Sequence, residues 1–260
     1  MRSRPIRRAH HGFTLLEVLV VLVILAIAAS GLAIPLAAQL QLRKAEATRR
    51  ILDEAKDALL GFAAAHGRLP CPAQEASRGE ESFAAGGDGA NGACSSFHDG
   101  YLPAAALGLS PLDADGFLRD AWDTPRNRVR YAVFGNGLAV NGIVNPLTRT
   151  NGMQSATLAG LGGAPHLLFI CASGLGASAA GCGAASNQLT RRAAFVLLSL
   201  GPDAPASPPA ESDAARNLDG DAVFVSHEAS NAPGNEFDDL VTWVPVHLVT
   251  SRLISAGRLP

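Results

Sequence analysis

Behind a short basic leader, the chain runs from Phe13 to about Ala38 with a single charged side chain, Glu17. About 26 residues at 1.5 Å each make roughly 39 Å of helix, enough to cross a hydrocarbon core with tilt. A carboxylate four residues into such a run costs about 2.5 to 3.5 kcal/mol by insertion scales unless a partner is supplied. Arg2, Arg4, Arg7 and Arg8 all precede the run. This bias puts the N-terminus in the cytoplasm and everything after the run outside. Residues 1–12 read as a targeting leader rather than as structure. Their loss takes the net charge from −2 to −6, which argues against general nucleic-acid affinity.

The apolar run does not end in a strong breaker. Residues 39–65 continue it with Ala, Leu, Glu, Lys and Arg, and place Leu52, Ala55, Leu59 and Phe62 at helical spacing on one face. Glu46 with Arg50, Arg49 with Asp53, and Arg50 with Glu54 stand four apart on the remainder. One helix is therefore expected from Phe13 to about Ala65, loosened at Ser30-Gly31 and Pro35 and ended by Gly67, Pro70 and Pro72. Its first part, 13–38, is the transmembrane half and 39–65 the amphipathic half, with one globular domain over 66–260.

The four cysteines, Cys71, Cys94, Cys171 and Cys182, all lie beyond the apolar run, on the side where disulfides persist. Three pairings are open, and sequence neighbourhood favours Cys71 with Cys94 and Cys171 with Cys182. Zinc is the alternative, but there is no CxxC pair, and His66, His98 and His166 lack finger spacing.

Beyond the helix, 73–100 is polar and Gly-rich without a period and reads as a disulfide-pinned loop; 135–163 is again loop-like. Strands are expected at Val129–Phe134, His166–Cys171, Ala193–Leu200 and Ala222–Val225, and at Leu240–Leu248 with Pro245 at an edge or bend. Ala204–Asn217 is a surface loop by composition, and Leu248–Ala256 a short helix. One long helix followed by several strands is the pattern of an α+β fold, with a mostly antiparallel sheet packed on the helix and long loops around it.

Cleavage after Gly12 would leave a cationic amine on Phe13, four residues and about 6 Å of helix rise from Glu17. That amine can pair with its own Glu17 or with the Glu17 of a displaced parallel neighbour, so the penalty on the acid favours assembly. The leader, Gly12-Phe13-Thr14-Leu15-Leu16-Glu17 and the apolar run resemble the cleavage and methylation signature of type IV pilins and the pseudopilins of type II secretion. The resemblance implies cleavage at Gly12, methylation of Phe13 and registration of subunits by Glu17. Its implied partners are other pilin or pseudopilin subunits, a prepilin peptidase and methyltransferase, an inner-membrane assembly platform and membrane lipid. The implied location is the inner membrane, with the C-terminal domain periplasmic, and then the filament.

Three further segments resemble the family more loosely. Asp120-Ala121-Trp122-Asp123-Thr124-Pro125 with Val129-Arg130-Tyr131 is similar to D-x-W-G-x-P and its aromatic strand, with Asp123 where Gly is usual. Ser199-Leu200-Gly201-Pro202-Asp203 is similar to S-x-G-x-D-G, departing at Ala204, and Phe237–Trp243 to the D-D-I-x-x-W segment. In major pseudopilins the loop between the last two binds calcium, which makes Asp203, Glu236, Asp238 and Asp239 the candidate ligands here. No other cofactor is expected. A mature length of 248 residues, with the excess in Gly-rich loops, would crowd a filament if every subunit carried it. A minor pilin is therefore expected, with a type II pseudopilin as runner-up.

Arg126, Arg128 and Arg130 alternate and would share one strand face. No aromatic residues interleave there, so a solvated face is expected rather than a DNA-binding stripe. No G-x-S-x-G or phosphate loop is present, and His98-Asp99 and His227-Glu228 are adjacent pairs that would point opposite ways on a strand. An enzyme is not expected; a signal-anchored periplasmic enzyme or adhesin is the alternative of another class.

Overall fold

The computed structural model describes residues 14–124, 126–202 and 208–259, and over 28–37 the backbone alone. The chain divides between Arg43 and Lys44 into two units. Helix α1 is Leu15–His66. At its start the Thr14 hydroxyl accepts the Glu17 N–H at 3.2 Å, so Thr14 satisfies one of the otherwise unpaired donors of the first turn. From Leu15 to Ile27 the side chains are exposed. No helix among the described residues is long and apolar enough to cross a membrane. The span expected over 13–38 includes Phe13 and the side chains of 28–37, which lie outside the described residues.

In the globular unit the helix buries Thr48, Leu52, Ala55, Leu59 and Ala63, a stripe at three- and four-residue spacing. Lys56 pairs with Asp53 at 2.5 Å; the three pairs expected four apart do not close among the described residues. The helix stops at Gly67, whose φ of +69° favours glycine. The guanidinium of Arg258 then donates to the last-turn carbonyls of Ala64, at 3.0 Å, and Ala65, so the end of the chain caps the end of the helix.

Strands β1 (Arg130–Val133), β4 (Leu168–Cys171), β5 (Gln188–Ser199), β6 (Val223–Val225) and β9 (Leu240–Pro245) make the main sheet. Strand β5 is its axis, antiparallel to β1, β4 and β9, while β6 adds parallel to β4. The sheet is mostly antiparallel, with that one parallel pair. Tyr131, Phe195, Leu197 and Val244 share the core with Leu52 and Leu59 of α1. Pro245 ends β9 and helix α5 (Val246–Ser255) starts at once, two residues before the start expected.

Two expectations are corrected. Residues 135–163 contain the hairpin β2 (Ala139–Val140) and β3 (Ile143–Val144), then helices α2 (Gly152–Ala156) and α3 (Leu158–Gly163). Asn141 and Gly142 both have positive φ, 50° and 76°, the type I′ geometry that an Asn-Gly pair between apolar residues specifies. Elements of two to six residues are too short to show a period. Within 204–217, helix α4 (Asp213–Arg216) is capped by the Ser212 hydroxyl and buries Asp213 and Ala214, so this part is not a surface loop. A second hairpin, β7 (Ser230–Ala232) and β8 (Asn235–Phe237), turns at Pro233-Gly234.

Both neighbouring cysteine pairs are bonded, Cys71–Cys94 across 23 residues and Cys171–Cys182 across 11. Closing loops of this length stabilises a fold by about 3 kcal/mol each in the chain-entropy view, slightly more for the longer. Cys71→Ser with Cys94→Ser is therefore expected to lower the melting temperature by about 6 to 12 °C. Thermal denaturation of the two double-serine variants checks both size and order.

Candidate functional site

Of the N-terminal site, Gly12 and Phe13 lie outside the described residues. Glu17 is exposed and sits in the first turn of α1, three residues after its capping Thr14. Thr-x-x-Glu is the sequence of a capping box, and a carboxylate at this end opposes the partial positive charge of the helix N-terminus. The position thus suits an acid for a local reason as well as for an external partner. The apolar side chains around it, Leu15, Leu16, Val18 and Leu19, are all exposed.

The three looser segments converge within the globular unit. Asp120 is buried, and its carboxylate accepts the Ser199 hydroxyl at 2.6 Å, the Asn127 amide at 2.9 Å and the Trp122 N–H at 2.9 Å. Burial pushes the Asp120 carboxyl up, and these hydrogen bonds pull it only part of the way back. The Asn127 amide also donates to the Gly201 carbonyl at 2.6 Å. A Cβ on Gly201 would lie 2.5 Å from the Asp238 carbonyl, and its φ is +70°, so glycine is required where these two segments touch. Asp123, where glycine is usual, has φ of +54°. The turn needs the left-handed conformation, which Asp tolerates better than most residues. The Ala121 N–H donates to the buried hydroxyl of Thr48 at 3.1 Å, joining this cluster to α1.

A family model described as the prokaryotic N-terminal methylation motif matches residues 7–33. The chain carries the type IV pilin and pseudopilin signature. No curated protein and no solved structure matches it. The signature supports a pilin-like or pseudopilin subunit, implies processing by a prepilin peptidase and assembly with other pilins, and is consistent with membrane anchoring before assembly. It marks a family of structural proteins.

Elsewhere in the chain, side chains expected to face solvent are matched internally. Arg128 pairs with Asp113 at 2.9 Å and Asp115 at 2.5 Å and lies 4.4 Å over the Phe117 ring. Arg130 pairs with Asp99 at 2.7 Å and lies 5.3 Å over Tyr101; Arg126 is exposed. The face is not the plainly solvated stripe expected, because Tyr101 and Phe117 come to it from other segments. Sequence spacing carried no signal of this, since the aromatic residues lie outside the strand.

Asp203 lies outside the described residues, Glu236 is on β8, and Asp239 is buried and accepts the Asn217 amide at 2.7 Å. Burial pushes the Asp239 carboxyl up to about 7. Among the described residues no three His, Cys, Asp or Glu side chains are grouped to hold a metal ion. Nε2 of His227 meets the Asp213 carboxylate at 3.0 Å while its Nδ1 lies 2.7 Å from the backbone carbonyl, not the carboxylate, of Glu228, and the ring stacks on Phe237. His98 is largely buried, which lowers its pKa.

Asp113 carries the clearest electrostatic consequence. Its carboxylate is 2% exposed and takes the Phe117 and Asp115 N–H groups besides Arg128. Burial alone would raise it, but these bonds hold it below the ordinary carboxylate range. A lowered folded value stabilises the protein fully above the unfolded value and is lost as pH falls through the folded one. Asp113→Ala should cost about 3 kcal/mol near neutral pH by leaving Arg128 without its buried partner. Urea unfolding of variant and parent is expected to converge as pH falls from about 5 towards 2.

Proposed function

We propose that this chain is a low-copy structural subunit, a minor pilin, of a type IV pilus-like filament. A prepilin peptidase cuts after Gly12 and the new Phe13 amine is methylated. The contiguous Gly12-Phe13-Thr14-Leu15-Leu16-Glu17 carries this reading, together with the match over 7–33. The local geometry supports it: the Glu17 N–H donates to the Thr14 hydroxyl and Glu17 stands in the first turn of α1, where a carboxylate suits the positive end of the helix. Before assembly, 13–38 spans the inner membrane with the leader cytoplasmic and the globular unit periplasmic. In the filament Glu17 pairs with the amine of a neighbouring subunit, which removes an unpaired charge from apolar surroundings.

Low copy number is favoured by bulk. The excursion from Phe134 to Leu167, with β2, β3, α2 and α3, stands between two strands of the main sheet, and such additions on every subunit would crowd a helical array. The second reading is a type II pseudopilin. It is favoured by the Asp120 cluster, where the three sheet segments that resemble pseudopilins meet.

Three measurements test the proposal. The intact mass of protein made with its native peptidase should correspond to a chain beginning at methylated Phe13, and a chain beginning at Met1 would overturn it. Glu17→Ala should be cut normally yet enter sheared filaments at a level lower by about tenfold or more, the loss set by leaving the partner amine unpaired. Counting copies in the same filaments separates a minor subunit from a major one.

A further inference from the structure

Asn91, Asn136, Asn141 and Asn151 are each followed by glycine. The pair marks a turn, because both residues accept positive φ. It is also a reactive pair. Glycine has no side chain to keep other groups from its backbone, so its nitrogen can attack the side-chain carbonyl carbon of the asparagine before it. The new C–N bond closes a succinimide ring, and the side-chain nitrogen leaves as ammonia with the proton that the glycine N–H gives up. Water then opens the ring to an aspartyl or isoaspartyl residue. In sum, one asparagine and one water give one carboxylic acid and one ammonia. The reaction needs a glycine nitrogen that is free to turn, a side chain that can swing, and room for the ring.

At three of the pairs the fold withholds one of these. The Asn91 side-chain oxygen accepts the N–H groups of Asp88 and Ala93 at 3.1 and 2.9 Å, its amide donates to the Gly86 carbonyl at 3.0 Å, and the Gly92 N–H donates to the Asp88 carbonyl at 2.8 Å. At Asn141 the amide that would have to leave donates to the Ala156 carbonyl at 2.9 Å and the Thr157 hydroxyl at 3.3 Å. After Asn151, the Gly152 N–H donates to the Arg149 carbonyl at 2.9 Å. Gly152 is also tightly packed, since a Cβ on it would lie 2.5 Å from the Pro146 carbonyl oxygen.

The pair Asn136-Gly137 is different. Both residues are exposed, and the Asn136 side chain makes no hydrogen bond among the described residues. A Cβ on Gly137 would meet no atom within 4 Å, so there is room for the ring. One contact restrains the reacting nitrogen: the Gly137 N–H donates to Oδ1 of Asn145 at 2.9 Å. That acceptor is fixed in place. Asn145 is buried, its own N–H donates to the Leu138 carbonyl at 3.0 Å, and its carbonyl accepts the Arg149 N–H at 3.0 Å.

We propose that Asn136 is the deamidation site of this chain and that Asn145 is its brake, a positioning residue whose side-chain oxygen holds the attacking nitrogen away from the Asn136 carbonyl. The product adds one negative charge to an exposed turn between β1 and β2. The proposal goes beyond the filament reading and does not depend on it.

The test holds purified full-length protein in mildly alkaline buffer and follows its tryptic peptides by mass spectrometry with fragmentation. The peptide from Tyr131 to Arg149 carries both Asn136 and Asn141, and deamidation is expected at Asn136 before any other Asn-Gly pair. Asn145→Gly removes the acceptor at a backbone φ of +51° that glycine adopts without strain. It should speed the reaction at Asn136 about fivefold, the population change expected for losing one ordinary hydrogen bond. Asn145→Asp keeps an acceptor oxygen and should react at close to the parent rate. Should Asn145→Gly speed all four sites alike, it has unfolded, and the order of the sites in the parent then decides. First reaction at Asn91, Asn141 or Asn151 in the parent overturns the site, as does a parent that stays intact while its urea-unfolded form deamidates. A rate at Asn136 unchanged by Asn145→Gly, or raised equally by Asn145→Asp, overturns the brake.

Discussion

The globular unit is built on the burial of one stripe of a helix, Thr48, Leu52, Ala55, Leu59 and Ala63. Fully burying each of its two leucines contributes about 1.5 to 3 kcal/mol. The stripe also sets positions. Because Thr48 is buried and its hydroxyl takes the Ala121 N–H, the turn carrying Asp120 is held to α1 by a bond that must be made. The same element therefore presents apolar side chains to its surroundings over Leu15–Ile27 and a polar back with an apolar front in the globular unit.

From that contact the polar interior follows. Asp120, Asn127, Ser199 and Gly201 close on one another, and Asp113 with Arg128 closes a second group against Phe117. Buried polar groups are tolerated when their partners are present, and here partners up to 79 residues away in sequence supply them. These groups act in positioning strands and turns. The chemistry proposed for the chain lies instead at its amino-terminal motif.

Much of this was legible from residue order. The expected helix over 13–65 stands beside an observed Leu15–His66, and four of the expected strands lie within a few residues of β1, β4, β5 and β6. The less legible parts have identifiable causes. The Asn141-Gly142 hairpin was signalled by its turn residues but not by any period, since its strands have two residues each. Helix α4 lies in a Pro- and Ser-rich stretch whose composition predicts a surface loop, yet Asp213 is drawn inside by the Asn235 amide and the Gly174 N–H. The partners of Arg128 and Arg130 come from other segments, and pairing across the fold leaves no trace in local spacing.

Residue order alone determined the features that depend on neighbours along the chain, the methylation motif, the place of Glu17 four residues after Phe13 and the length of α1, and it favoured the two short-range cysteine pairs that the structure then showed. These follow from helical rise, from the contiguity of a short motif and from the proximity of loop ends, none of which needs a tertiary fold. Only the tertiary structure decided what depends on neighbours in space. It placed Asp120 beside Ser199 and laid Arg128 on Phe117. Burial and charge pairing act over a few ångströms without regard to sequence separation.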